Sequence, residues 1–122
     1  LTLCNEGTLR DWVRHAKFNV TQGKNFDASG SMGPWLVPFE DEAQIADIRL
    51  ETRVNGEVRQ QGDLDQMIWK TAEQVAILSR YFELQPGDVI FTGTPSGVGP
   101  VKRGDELEGF VEGVGSFRLR VV

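Results

Sequence analysis

The sequence holds a single cysteine, Cys4, and a single histidine, His15. One cysteine excludes an internal disulfide and any cysteine-based zinc site, which suits a reducing compartment, and a cytoplasmic location is expected. One histidine, with no nucleophile signature around any serine, makes a Ser–His–Asp system a poor reading. No apolar run approaches the length of a bilayer span and no charged-then-apolar signal segment opens the sequence, so no membrane partner is expected. Without that signal, the glycosylation match at Asn19-Val20-Thr21 reads as chance. Basic runs are missing too, and the net charge is −5. Affinity for nucleic acid rests on neutralising phosphates, so none is expected as a partner. Repeats, low-complexity tracts and linkers are also absent. What remains is 122 residues, one domain or a piece of one, long enough to bury a core without disulfides.

Read along the chain, Leu1 to Asn5 alternates as a short strand would, entered in mid-pattern and without an initiator methionine, as in a fragment. Thr8 offers a hydroxyl cap for a short helix over Leu9 to His15, with Asp11 completing a box-like arrangement. Residues 16–33, rich in Gly, Asn and Ser, read as an ordered loop of the kind that is more often functional than idle. Trp35 to Phe39 is apolar but broken by Pro38, which suits an edge or a short strand. Ile48, Leu50, Thr52 and Val54 alternate with charged residues, Asn55-Gly56 supplies a type I′ turn, and Glu57 to Gln61 returns, a hairpin. Apolar residues at Ile68, Ala72, Val75, Ala76, Leu78 and Phe82 predict a helix within Asp65 to Leu84. Pro86-Gly87-Asp88 stops it and leads into a strand over Val89 to Thr92. A glycine-rich loop, Gly93 to Pro100, precedes a turn at Gly104-Asp105 and two strands, Glu106 to Glu112 and Ser116 to Val122. The fold class is α+β, mainly β, a rolled or sandwiched sheet with one main helix.

Chemistry concentrates in Asn5 to Asp11 and in Gly23-Lys24-Asn25-Phe26-Asp27, closed by Gly33-Pro34-Trp35. One lysine, an arginine and several carboxylates stand there among glycines that let backbone approach a ligand closely. Glu6, between a strand and a short helix, suits a hard cation such as Mg²⁺. Lys24 could neutralise a substrate carboxylate or stabilise an enolate, with Asp27 orienting it or helping to position backbone near the cation. Arg10 and Asp11 are adjacent and point apart on a helix, so Arg10 is expected buried toward Glu6 or structural carbonyls. The acids Glu40, Asp41 and Glu42, and likewise Glu106 and Glu108, read as solvated faces. His15 reads as a helix-end dipole partner, and Trp12, Trp35 and Trp69 read as core. Gly93-Thr94-Pro95-Ser96-Gly97-Val98-Gly99 fits no phosphate-loop pattern. Its turning backbone and the Thr94 hydroxyl could hold a carboxylate, or it could be a plain turn.

Taken in order, Asn5-Glu6-Gly7-Thr8-Leu9-Arg10-Asp11-Trp12, Gly23 to Asp27, Gly33-Pro34-Trp35 and Phe91-Thr92-Gly93 to Gly99 resemble the fumarylacetoacetate hydrolase family. The Asn55-Gly56 hairpin, the following helix and the Leu84 to Asp88 turn fall where that family has them. The resemblance spans nearly the whole chain. It implies that residues 1–122 are the C-terminal portion of a single catalytic domain, with the N-terminal part missing. It implies Mg²⁺ or Mn²⁺ held by a Glu-x-Glu pair, expected upstream of Leu1, and by a third acid that falls on Glu6 where the family commonly has Asp. The family lysine falls on Lys24, beside metal and substrate. The threonine of its Gly-Thr loop falls on Thr94, with Gly93 beside it, in contact with the substrate carboxylate. A glutamine that touches substrate in some members has no match, since Val13 and Arg14 occupy that region, and lid acids and histidines used by others would lie upstream.

The same resemblance implies a metal-stabilised enolate of a small 2-oxo or 2-hydroxy-dienoic diacid, or an acylpyruvate, from aromatic-compound breakdown. C–C hydrolysis leads, with isomerisation or decarboxylation as the alternative. A homodimer is expected from the family alone. A non-catalytic binding or assembly module is the reading from another class, motivated by Glu6 and by the missing N-terminal part.

Overall fold

The Asn-Gly turn sets the largest element of the structure. Asn55 and Gly56 take φ of 52° and 83°, the left-handed pair a type I′ turn requires. They join β3 (Arg49–Val54) to β4 (Glu57–Asp63) in antiparallel register from Val54↔Glu57 to Arg49↔Asp63, with a register shift between Thr52 and Arg53. β5 (Glu106–Val111) pairs with the other side of β3, and β6 (Gly115–Arg120) with β5, giving the order β4-β3-β5-β6. A separate two-stranded sheet joins β1 (Cys4–Glu6) to β2 (Gly30–Met32). Between its strands lie α1 (Arg10–His15) and α2 (Val20–Lys24). α3 (Thr71–Leu78) follows the hairpin. The computed structural model describes residues 1–15, 17 and 20–122, the side chains at 14 and 15 apart. The Asn19 acceptor and the helix-end role of His15 therefore lie outside the described residues.

The core is small. Leu3, Ile45, Ile48 and Val114 are buried together, with Leu1, Val37, Leu64, Val111 and Phe117 packed on them. The start of the small sheet thus rests on the 3-10 turn Glu42–Ile45 and on one end of the large sheet.

Several expectations need correction. The stretch 16–33 is not all loop, since it contains α2 and β2. The backbone of β1 gives β2 a ladder that no local pattern announces. The predicted helix shrinks to Thr71–Leu78, preceded by a 3-10 turn over Leu64–Gln66. Leu64 N–H is taken by the Ile48 carbonyl at 2.9 Å, and the Glu73 carboxylate accepts from Lys70 N–H at 2.8 Å, which fixes the helix start there. Val89 to Thr92 finds no ladder among the described residues, and Trp35 to Phe39 forms no strand, although Val37 exchanges backbone bonds with Leu1. The tryptophans are not core. Trp12, Trp35 and Trp69 are 48%, 59% and 57% exposed, alongside Ile68 at 92% and Tyr81 at 78%. Ile68 belongs to the apolar spacing that suggested a buried helix face, and the described residues leave it and the tryptophans about half exposed or more.

The acids are also busier than a solvated face requires. Asp41 caps the 3-10 turn through Gln44 N–H, and the Glu42 carboxylate accepts from Ala72 N–H at 3.0 Å, tying that turn to α3. Arg118 pairs with both Glu106 and Glu108 across β5 and β6.

Candidate active site

Two close backbone approaches build the site. Gly7 N–H donates to the Ser29 carbonyl at 2.7 Å, and a Cβ on Gly7 would lie 2.3 Å from that oxygen. Leu9 N–H donates to the Gly23 carbonyl at 2.9 Å, and a Cβ on Gly23 would lie 2.5 Å from Val13 Cγ2. The two glycines serve the packing of chain on chain, where the sequence suggested approach to a ligand. Because α2 sits against the start of α1, its last residue, Lys24, reaches the end of β1.

There Lys24 Nζ lies 2.6 Å from Glu6 Oε2 and donates to Thr8 Oγ1 at 3.2 Å. Thr8, expected as a helix cap, is thus a partner of the lysine, and α1 begins two residues later at Arg10. Ser29 Oγ donates to the Lys24 carbonyl at 3.0 Å and Asn25 Nδ2 to the Thr21 carbonyl at 2.7 Å, fixing the turn beyond α2. Trp12 and Phe26 pack with their rings tilted by 51° and centroids 5.9 Å apart. The Lys24 and Glu6 side chains keep 29% and 41% exposure. An ion pair so open contributes only about 0–1 kcal/mol to stability, so its geometry matters more for what the two charges can reach. Asp27 and Arg10 are exposed. The contacts of Lys24 run to Glu6 and Thr8, not to Asp27, and Arg10 is not buried toward Glu6.

Thr94 belongs to a different contact set. Its Oγ1 accepts from Gln60 Nε2 of β4 at 2.7 Å, while the same amide donates to the Pro95 carbonyl at 2.8 Å. Gly93 has a φ of 106°, a left-handed turn with open space around the α-carbon. Gln60 escaped sequence reading because a glutamine on the return strand of a hairpin looks like any solvated residue.

Among the described residues, no group of three or more His, Cys, Asp or Glu comes together to hold a metal. Glu6 supplies one carboxylate with one oxygen engaged by Lys24. A carboxylate suits a hard cation, and one carboxylate by itself does not complete the octahedral oxygen set that Mg²⁺ takes. Burial raises the Cys4 thiol above its ordinary value, which keeps it protonated at neutral pH and a poor nucleophile.

The family profile described as Fumarylacetoacetate (FAA) hydrolase C-terminal matches residues 1–122. The chain belongs to the fumarylacetoacetate hydrolase family. Its fold is that of the family's C-terminal domain. A 5-carboxymethyl-2-hydroxymuconate delta-isomerase from Mycobacterium smegmatis superposes with a TM-score of 0.92 at 37% identity, covering 99% of this chain and 47% of its own. A fumarylpyruvate hydrolase from Pseudomonas aeruginosa, solved with Mn²⁺ and pyruvate, gives 0.88 at 42% identity, with 99% and 53% covered. A human mitochondrial oxaloacetate tautomerase is 39% identical over 129 residues, 99% of this chain and 41% of that protein. The chain thus spans about half the length of these relatives. Hydrolase, isomerase and tautomerase chemistries all stand among proteins of this family.

Proposed function

We propose that residues 1–122 are the C-terminal portion of a divalent-metal-dependent catalytic domain that acts on a small 2-oxo acid. The observation that carries this reading is the Glu6–Lys24–Thr8 cluster, a carboxylate and an ammonium 2.6 Å apart and part-open to solvent, in a chain of this family. Glu6 would be one ligand of Mg²⁺ or Mn²⁺, completed by donors outside the chain. When bound, such a cation supplies Lewis acidity to the oxygens of a 2-oxo acid. Lys24 holds a positive charge where negative charge develops on the substrate oxygen, and Thr8 fixes the direction of the ammonium. Thr94 and the Gly93 backbone anchor the substrate carboxylate. C–C hydrolysis of an acylpyruvate or a related diacid is the lead activity, supported by the fumarylpyruvate hydrolase relative. Isomerisation or decarboxylation of a hydroxymuconate-type diacid is the second reading, favoured by the close superposition on the delta-isomerase. The same reading includes a homodimer and a reducing, cytoplasmic setting.

The test is metal removal from the full-length protein. Turnover of acylpyruvates is expected to disappear with EDTA and return with Mg²⁺ or Mn²⁺. Undiminished turnover after verified metal removal overturns the proposal, and product analysis on acylpyruvates against hydroxymuconates separates the two activities.

A further inference from the structure

The loop that carries Thr94 is moulded onto the edge strand β4 at several points. A Cβ on Gly97 would lie 1.9 Å from the Arg59 carbonyl oxygen, and one on Gly62 would lie 3.1 Å from Pro95 Cβ. Between these contacts stands Gln60, partly buried, with every polar atom of its amide engaged. Its Nε2 donates to the Pro95 carbonyl at 2.8 Å and to Thr94 Oγ1 at 2.7 Å. Its Oε1 accepts from Thr52 Oγ1 at 3.2 Å, across the β3–β4 pair where the two residues are register partners. A carbonyl oxygen only accepts, so the Pro95 contact fixes which end of the amide faces the loop.

This has a consequence for the Thr94 hydroxyl. Having accepted from an amide N–H, it has its own hydrogen free to donate, and the amide nitrogen offers that hydrogen no acceptor. A carboxylate is an acceptor only, so a hydroxyl held as donor is already in the state that binding requires.

We propose that Gln60 is a positioning residue that fixes the Thr94 hydroxyl as a donor to the carboxylate of a 2-oxo acid, with Thr52 locking the Gln60 amide. The inference rests on the reading of Thr94 as carboxylate anchor. It assigns the hairpin, remote in sequence from the family's motif-bearing segments, a part in substrate recognition.

The test uses the Mn²⁺-loaded full-length protein, with pyruvate as probe and calorimetric Kd as readout. Gln60→Met keeps the side chain's length and removes both donors, and Thr94→Val removes the hydroxyl. Each single variant is expected to weaken pyruvate about tenfold, the scale of one hydrogen bond to a charged group. The double variant is expected to match Thr94→Val alone, because both changes remove one interaction. Amide exchange of Gly93, Thr94, Ser96 and Gly97 is expected to quicken in Gln60→Met and to stay unchanged in Thr94→Val, since the Pro95 bond survives there. If Thr94→Val leaves the pyruvate Kd unchanged, the anchor reading fails and this inference with it. If Thr94→Val weakens pyruvate but Gln60→Met does not, or if the two losses add in the double variant, the positioning role alone is overturned.

Discussion

At the scale of single residues, the lysine and one aspartate carry the clearest consequences. Lys24 is held by a carboxylate and a hydroxyl yet remains partly open, so its removal should cost chemistry far more than stability. Lys24→Met in the full-length enzyme is expected to lower kcat by about 10²-fold or more, the usual cost of losing one charge-stabilising donor. The melting temperature is expected to stay near the native value, and a near-native kcat would take Lys24 out of the mechanism. Asp105 plays a structural part. It is buried at 7% exposure and accepts from Asn55 Nδ2 at 3.0 Å and from Lys102 N–H at 2.9 Å. The Asn55 bond first, and the Lys102 backbone bond next, hold its carboxyl below the ordinary aspartate value. A depressed folded value means that this stabilisation is present above the unfolded pKa and lost as pH falls through the folded one. Asp105→Asn is therefore expected to flatten the loss of stability on acidification below about pH 4, as read from melting temperature against pH. A variant that loses stability on acidification as steeply as the native chain would remove Asp105 from that dependence.

Elements meet here through backbone that tolerates no added atom. Gly23 sits inside α2, where helix propensity alone favours alanine by about 1 kcal/mol. Its added Cβ would meet Val13 Cγ2 at 2.5 Å and the Leu9 carbonyl at 3.1 Å, and Val13 is itself buried. Overpacking of this kind costs about 1–3 kcal/mol. Gly23→Ala is expected to lower the urea midpoint and to displace Lys24 from Glu6, with activity falling alongside. A raised midpoint would show that propensity prevails and that the α1–α2 contact yields. The hairpin is a second case of one residue serving two elements. Asn55 supplies the left-handed turn conformation, and its side chain bonds Asp105 and Glu106 N–H at the entry to β5. The turn was legible from the Asn-Gly pair. The bridge to β5 was not, because Asp105 lies fifty residues further on.

For the molecule as a whole, exposed apolar side chains dominate the physics. Leu36, Ile68, Tyr81 and Phe82 are 77%, 92%, 78% and 63% exposed, so large apolar side chains meet water. Residues 1–122 expressed alone are expected to self-associate, with mass by sedimentation rising with concentration. A strictly monomeric species at all concentrations would run against this. The same exposure is where the expected tryptophan core fails, since Trp12, Trp35 and Trp69 stay 48%, 59% and 57% exposed. Apolar spacing shows which residues favour burial, but it does not encode what would cover them. By itself, the sequence determined the hairpin, the ordered family motifs and the identity of Glu6, Lys24 and Thr94 as site candidates. Turn chirality and motif chemistry reside in the residues themselves. Tertiary structure alone decided that Lys24 meets Glu6 and Thr8, that Gly7 and Gly23 serve packing, and that Gln60 holds the Thr94 loop. Each of these depends on which distant backbone arrives within a few ångströms, and no local pattern encodes that arrival.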